Sequence, residues 1–373
     1  MLRRSMSSQA TFRNCRRVTA ALILSLACAS CAGRPLQGVL VPVEAAESTS
    51  RVPVLVATTR ERAATDTGDM FSRERAAAMS YAMVSVSIPP DEARVVGAIQ
   101  WPVVPPGDPR REFVTVSADY LDKVAFNTTV NSVARTTRRS KAMIFIHGFN
   151  NRFDDAVYRF AQIVQDSKAP VIPILFSWPS QGLVGLRAYE RDGEVARDSA
   201  GSLDGLIDQV ALNPAIREIT VLCHSMGCLI TLDALQARAR RTGKIGGKIK
   251  NVAMVAPDVA FAAFREQMQG MGTSRPRFAL FLSQDDGALK LSKSIAGGLA
   301  RLGDVNPEEE PYKGELARAN ILVFDITRLQ GQAHSRAFED ASTVMGLIER
   351  RLAQGQQLAE DASRRPAAGA ASQ

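Results

Sequence analysis

Histidine is scarce in this 373-residue chain: only His147, His224 and His334 occur. They stand far apart and no His-Glu-x-x-His segment is present, which argues against a catalytic zinc site. Cysteine is almost as rare. Of five, Cys15, Cys28 and Cys31 lie in the first 31 residues, leaving Cys223 and Cys228 in the body. Such a chain is no disulfide scaffold. Past residue 30 no apolar run approaches the ~20 residues of a membrane-spanning helix, and no internal repeat is evident. An excess of one charge is also missing from the body. The formal charge is +8, but Arg3, Arg4, Arg13, Arg16 and Arg17 come before residue 30 with no acid among them; removing those five leaves +3. A balance that small gives no reason to expect nucleic acid as a partner. No cofactor is expected.

What is present begins with an export-like N-terminus. Arg13, Arg16 and Arg17 flank an apolar run from Val18 to Ala29, roughly a dozen residues and too short for a membrane span. Cys31-Ala32-Gly33 follows. The segment resembles a bacterial lipoprotein signal, which would be cut before Cys31 and leave that cysteine lipidated. Cys28, where leucine is usual, is a second and poorer candidate. A plain cleaved secretory signal and a retained anchor are the alternatives, and a twin-arginine route through Arg16-Arg17 fits less well. The reading implies a bacterial cell-envelope protein held to the membrane by a lipid anchor. Residues 31–50 read as a linker and residues 354–373 as a disordered tail.

Strand candidates in the first third are Val52–Thr58, Ala82–Ile88, Val95–Trp101 and Phe113–Val116, with 61–80 a loop or short helix. From residue 142 apolar runs alternate with amphipathic segments. The expected strands are Met143–Ile146, Val171–Phe176, Glu218–Cys223, Ile249–Ala256, Phe278–Leu282 and Ile321–Ile326. The expected helices are Asp154–Gln165, Val195–Val210, Gly227–Arg240, Phe261–Met268, Leu289–Ala300 and a closing Ser335–Leu352. Fully apolar strands between helices predict an α/β fold, a mainly parallel central sheet covered on both faces.

One junction carries chemistry. The strand Ile219–Cys223 runs into His224-Ser225-Met226-Gly227 and a helix follows at once. This is the setting of a nucleophile elbow, in which a tight strand-to-helix turn exposes the serine and small residues are needed two positions to either side. Gly227 meets that need, and Cys223 stands where glycine is usual. The bland alternative is a serine capping a helix. Cys223 and Cys228 read as buried small residues, with a disulfide across the elbow as the other reading. A serine needs a base to take its proton. His224 points away as the serine's neighbour, and His147 precedes Gly148 in a turn suited to an oxyanion hole. His334 is therefore the candidate base. The acid should follow a strand between Ser225 and His334. Asp286 is preferred because it opens a helix, and Asp285 and Asp258 stay open. Phe149 and Met226 are the candidate backbone donors to an oxyanion. His147, Gly148 and Trp178 are candidates for the substrate pocket, and the segment from Trp178 to Tyr189 for a cleft wall or a small lid.

Several segments together resemble a known family: Val56-Ala57-Thr58-Thr59-Arg60, Val86-Ser87-Ile88-Pro89-Pro90, Phe145 to Asn150, Phe176-Ser177-Trp178-Pro179-Ser180, His224 to Gly227, Ser283 to Leu289, and His334-Ser335. The chain is similar to bacterial esterase/lipase-like α/β-hydrolases of largely unassigned physiological role. The resemblance spans about residues 52–350 and implies an α/β-hydrolase domain over 51–353, with Ser225, Asp286 and His334 as a triad. It implies a serine hydrolase that cleaves carboxylic or lipid esters through an acyl-enzyme. The alternatives are an acyltransferase or thioesterase using the same triad, and a non-catalytic envelope lipoprotein with a hydrolase-like fold. A fluorophosphonate probe separates enzyme from binding module.

Overall fold

The computed structural model describes residues 34–64, 68–329, 334 and 336–339. The export signal over residues 1–30, Cys31, the tail and all but a few residues of the closing helix lie outside the described residues. Nine strands form one sheet: β1 (Ser50–Arg62), β2 (Phe71–Ile88), β3 (Val114–Leu121), β4 (Lys141–Ile146), β5 (Ile172–Ser177), β6 (Glu218–His224), β7 (Ile249–Val255), β8 (Arg277–Leu282) and β9 (Ile321–Asp325). Their order is β3-β2-β1-β5-β4-β6-β7-β8-β9. β1, β2 and β3 pair antiparallel, and every other pairing is parallel. The helices are α1 (Lys123–Thr137), α2 (Phe153–Ser167), α3 (Leu186–Leu212), α4 (Gly227–Thr242), α5 (Phe261–Gly270), α6 (Gly287–Ile295), α7 (Tyr312–Arg318) and α8 (Arg336–Glu339).

The core follows the two-residue period of the strands. In β4, Ile144 and Ile146 join a cluster with residues of α1, α3, α4 and α5. Met143 and Phe145, pointing the other way, join a second cluster with α2 and α8. Both faces are thus covered, as the unbroken apolar strands predict. The parallel strands all present their C-terminal ends to one edge, where the turns after β4, β6 and β8 gather.

The first third departs from the sequence-based expectations. Residues 71–80, expected as loop or short helix, are the first half of β2 and pair with β1. Val95–Trp101 is not a strand; Val95 and Val96 are exposed in a turn. The helices α1 and α7 were not foreseen. Residues 34–49, expected within a linker, pack on the body. Val39 and Leu40 are buried, Val43 N–H donates to the Thr115 carbonyl, and Arg34 pairs with Asp155 at 2.6 Å. No helix among the described residues is long and apolar enough to cross a membrane.

Candidate active site

Ser225 follows β6 with φ at 50°, the left-handed region that a non-glycine residue rarely occupies. Its N–H donates to the Val255 carbonyl at 3.0 Å. Its own carbonyl accepts from Cys228 N–H at 3.0 Å and from Asp258 N–H at 3.2 Å. The turn is therefore held from both sides, as a strained backbone requires. Two glycines show how tightly it packs. A Cβ on Gly227 would stand 2.4 Å from the His147 carbonyl oxygen. A Cβ on Gly148 would stand 2.8 Å from Ser225 Cβ. The turn after β4 and the turn after β6 are in direct contact, and only glycine leaves room for it.

Cys223 and Cys228 are fully buried, as expected of small core residues. They are also joined in a disulfide, which corrects the preferred reading of two separate thiols. The cause is geometric: a tight turn brings residues five apart to a Cα separation of 4.9 Å, within the range a disulfide spans.

Asp286 follows β8, is wholly buried and caps α6. Its Oδ1 accepts from the N–H groups of Ala288 and Leu289. Its Oδ2 accepts from His334 Nδ1 at 2.7 Å. That bond holds the ring by its Nδ1–H and leaves Nε2 as the other nitrogen. The other two candidate acids are engaged elsewhere. Ser283 donates to Asp285 at 2.6 Å. Asp258 accepts from Tyr189 and Ser292 and lies 3.3 Å from Arg301 Nε.

His334 lies over the elbow. Its ring centroid is 4.7 Å from that of His224, and His224 Nε2 donates to the His334 carbonyl at 3.0 Å. Burial first, then the neighbouring His334, holds the His224 imidazole well below its usual range, so it stays neutral. His224 is no base for Ser225, but it fastens the backbone of the candidate base, a role not legible from its position in sequence. The Ser225 hydroxyl makes no hydrogen bond to His334 or to any other described residue.

Phe149 and Met226 flank Ser225, the first in the turn after β4 and the second at the start of α4. Neither N–H donates to a described residue. Gly148 lies against the serine. His147 and Trp178 do not line an open pocket: their exposures are 1% and 0%. Trp178 stacks on His147 and donates from Nε1 to the His147 carbonyl at 2.7 Å. Both brace the turn from behind, because the apolar indole is more stable in the core than in a wet cleft. Tyr189 is half-buried and edge-on to Phe149 at 5.5 Å. Just before it, Leu183, Val184 and Leu186 are exposed. A separate apolar hollow of about 270 Å³ over β4, β6, β7 and β8 includes none of Ser225, Asp286 and His334.

Arg60, Ser177 and Ser180 are polar residues behind the site whose contribution sequence reasoning missed. The available signal was an arginine and a serine closing otherwise apolar strands. Among the described residues no group of three or more His, Cys, Asp or Glu is placed to hold a metal.

Residues 122–351 match the family described as alpha/beta hydrolase of unknown function (DUF900). No curated protein matches the chain. Among solved structures, it is similar to an esterase of the fungus Rhizomucor miehei, at 11% identity and a TM-score of 0.34 over 82% of this chain and 84% of that one. It is also similar to the Pyrobaculum calidifontis esterase, at 11% identity and a TM-score of 0.32 over 93% of each chain. The siderophore hydrolase EstB from Aspergillus nidulans is 12% identical with a TM-score of 0.35, over 82% of this chain and 94% of that one. Likeness of that degree carries no weight for substrate. The family match covers more than half of the chain and contains the elbow, both turns beside it, Asp286 and His334; the chain belongs to this family of α/β-hydrolases.

Proposed function

We propose that the protein is a serine hydrolase of carboxylic esters, lipid or acyl esters included. The observation that carries the reading is the Asp286–His334 bond of 2.7 Å beside a serine held at a positive φ. In this reading His334 Nε2 takes the Ser225 proton as Oγ attacks the ester carbonyl. Asp286 holds the ring by Nδ1–H and stabilises the imidazolium that forms. The oxygen that gains charge is received by the Phe149 and Met226 N–H groups, each such donor contributing about 3 kcal/mol in the transition state. His334 then returns its proton to the leaving alkoxide, and a water repeats the cycle on the acyl-enzyme. Approach of His334 to Ser225 to hydrogen-bond distance completes the line on substrate binding, since such bonds are often long in a free enzyme.

A fluorophosphonate probe tests the reading. The folded protein should label promptly, and Ser225→Ala should abolish labelling. A correctly folded wild type that stays unlabelled would instead favour a non-catalytic binding protein. Hydrolysis rates across p-nitrophenyl esters of rising acyl length then define the substrate class, and a thiol acceptor that outcompetes water would point to acyl transfer.

We further propose that the protein is exported and lipidated at Cys31. The Cys31-Ala32-Gly33 segment after an apolar run supports this, and the Cys223–Cys228 disulfide suits an oxidising compartment. Metabolic labelling with a fatty-acid analogue should mark the wild type and not Cys31→Ser; equal labelling of both overturns it.

A further inference from the structure

Arg60 is 1% exposed at the end of β1, and no carboxylate among the described residues pairs with it. Burial pulls its guanidinium down to about 10, which still leaves it charged at neutral pH. Asp192, Asp155 and Asp154 favour its charge only from beyond ion-pair distance, and a buried cation without a direct partner is costly, so its bonds are informative. Nη2 donates to the Asn151 carbonyl at 2.8 Å, and Nη1 to the carbonyls of Ser180 at 3.1 Å and Ser72 at 3.2 Å. Nε donates to Ser177 Oγ at 3.0 Å. Ser177 Oγ is in turn 3.2 Å from His147 Nε2. His147 Nδ1 is 3.0 Å from the Gly148 carbonyl oxygen.

Donor counting gives this chain a direction. Arg60 can only donate. The carbonyl of Gly148 can only accept, and its 3.0 Å distance from Nδ1 assigns the proton there, although the Trp178 backbone is a second acceptor for this ring. A neutral ring then has a bare Nε2, which accepts the Ser177 proton. Ser177 is free to give that proton because Arg60 fills an acceptor position on its oxygen. The neutral ring is secured by burial and by Arg60, which together hold the His147 imidazolium down to about 3. The chain ends on a functional atom pair. The Gly148 carbonyl and the Phe149 N–H belong to one peptide unit. A hydrogen bond to that carbonyl fixes the plane of the peptide and polarises its N–H, making it a stronger donor.

We propose that Arg60 is a positioning residue that orients and polarises the Phe149 amide for a developing oxyanion, acting through Ser177 and His147. The inference rests on the serine-hydrolase reading above and adds a source for the strength of one oxyanion donor. Arg60 lies outside residues 122–351, the part that matches the family.

Ser177→Ala cuts the relay while leaving the carbonyl bonds of Arg60 in place. Assayed on p-nitrophenyl acetate, it should lower kcat about tenfold or more, short of the 10²–10³ lost with a whole donor, with KM nearly unchanged. Fluorophosphonate labelling should slow in parallel yet still reach completion. His147→Asn keeps a donor near the Gly148 carbonyl but not the link to Ser177, and should fall between Ser177→Ala and the wild type. A folded Ser177→Ala with wild-type kcat would overturn the proposal while leaving the hydrolase reading intact; a wild type that never labels would remove the hydrolase reading first. Nitrogen NMR of the wild type with labelled histidine needs no variant to fold. His147 should be the neutral Nδ1–H tautomer at pH 7, and an Nε2–H tautomer or an imidazolium there would refute the relay.

Discussion

Asp286 does two jobs with its two oxygens: Oδ1 caps α6 and Oδ2 holds His334. The cap by itself already restricts the carboxylate, so the bond to His334 costs little further side-chain freedom. Asp286→Asn keeps the cap acceptor but loses the charge that stabilises an imidazolium. Its kcat on p-nitrophenyl acetate should fall by about 10³–10⁴ with the fold intact, following the behaviour of the triad carboxylate in serine proteases. Asp285→Asn should stay within about tenfold of the wild type, because its carboxylate serves a local bond to Ser283. Equal losses in the two variants would mean the acid has been misassigned. Among the three carboxylates left open in the sequence, only the folded chain distinguishes them: adjacent Asp285 and Asp286 differ in which one is aimed at residue 334.

The junction of β6 and α4 is the element on which the site depends. The left-handed backbone at Ser225 costs roughly 1–3 kcal/mol, offset by the bonds that tie the turn to β7 and by the disulfide across it. Closing a loop this short stabilises the fold by about 2 kcal/mol through the unfolded chain. The double variant Cys223→Ala, Cys228→Ala should therefore be about 2 kcal/mol less stable in urea unfolding, and reductant should shift the wild type and not the variant. A wild-type midpoint unmoved after verified reduction would show that the bridge contributes nothing to stability. The turn itself was legible from a short strand, a serine and Gly227, because these needs are local. The disulfide was only an alternative, since residue type alone does not give the distance between two sulfurs.

In the whole molecule, the site's edge is bordered by a strap that sequence reading assigned to a linker. Residues 34–49 run along β3 and α2, burying Val39 and Leu40. Arg34 reaches Asp155 and both the carbonyl and the side chain of Asn150, in the turn after β4. A chain begun at residue 50 should lose roughly 3 kcal/mol or more of stability, from two aliphatic side chains at about 1.5–3 kcal/mol each. Chemical unfolding of the two forms compares them directly. An unchanged midpoint would mean that the strap is only loosely held.

The order of the parallel strands along the chain and the helices between them, α7 excepted, were readable from the chain alone, which also offered the three residues of the candidate triad. Each rests on a short-range pattern: unbroken apolar strands, a tight turn with glycine beyond the serine, and a histidine after the last strand. The first half of β2 was not readable, because Phe71–Tyr81 is alanine-rich and largely exposed, and its strand bonds go to β1 rather than to neighbours in sequence. Helix α1 buries only Phe126, Val130 and Ala134, too sparse an apolar stripe to stand out. Trp178 and Arg60 show the same division. Their types were plain, yet burial turned the tryptophan from pocket wall to brace and gave the arginine an indirect line to the Phe149 amide. Local sequence sets which way a segment can fold, while the partner of a buried polar group is decided by packing between residues more than a hundred positions apart.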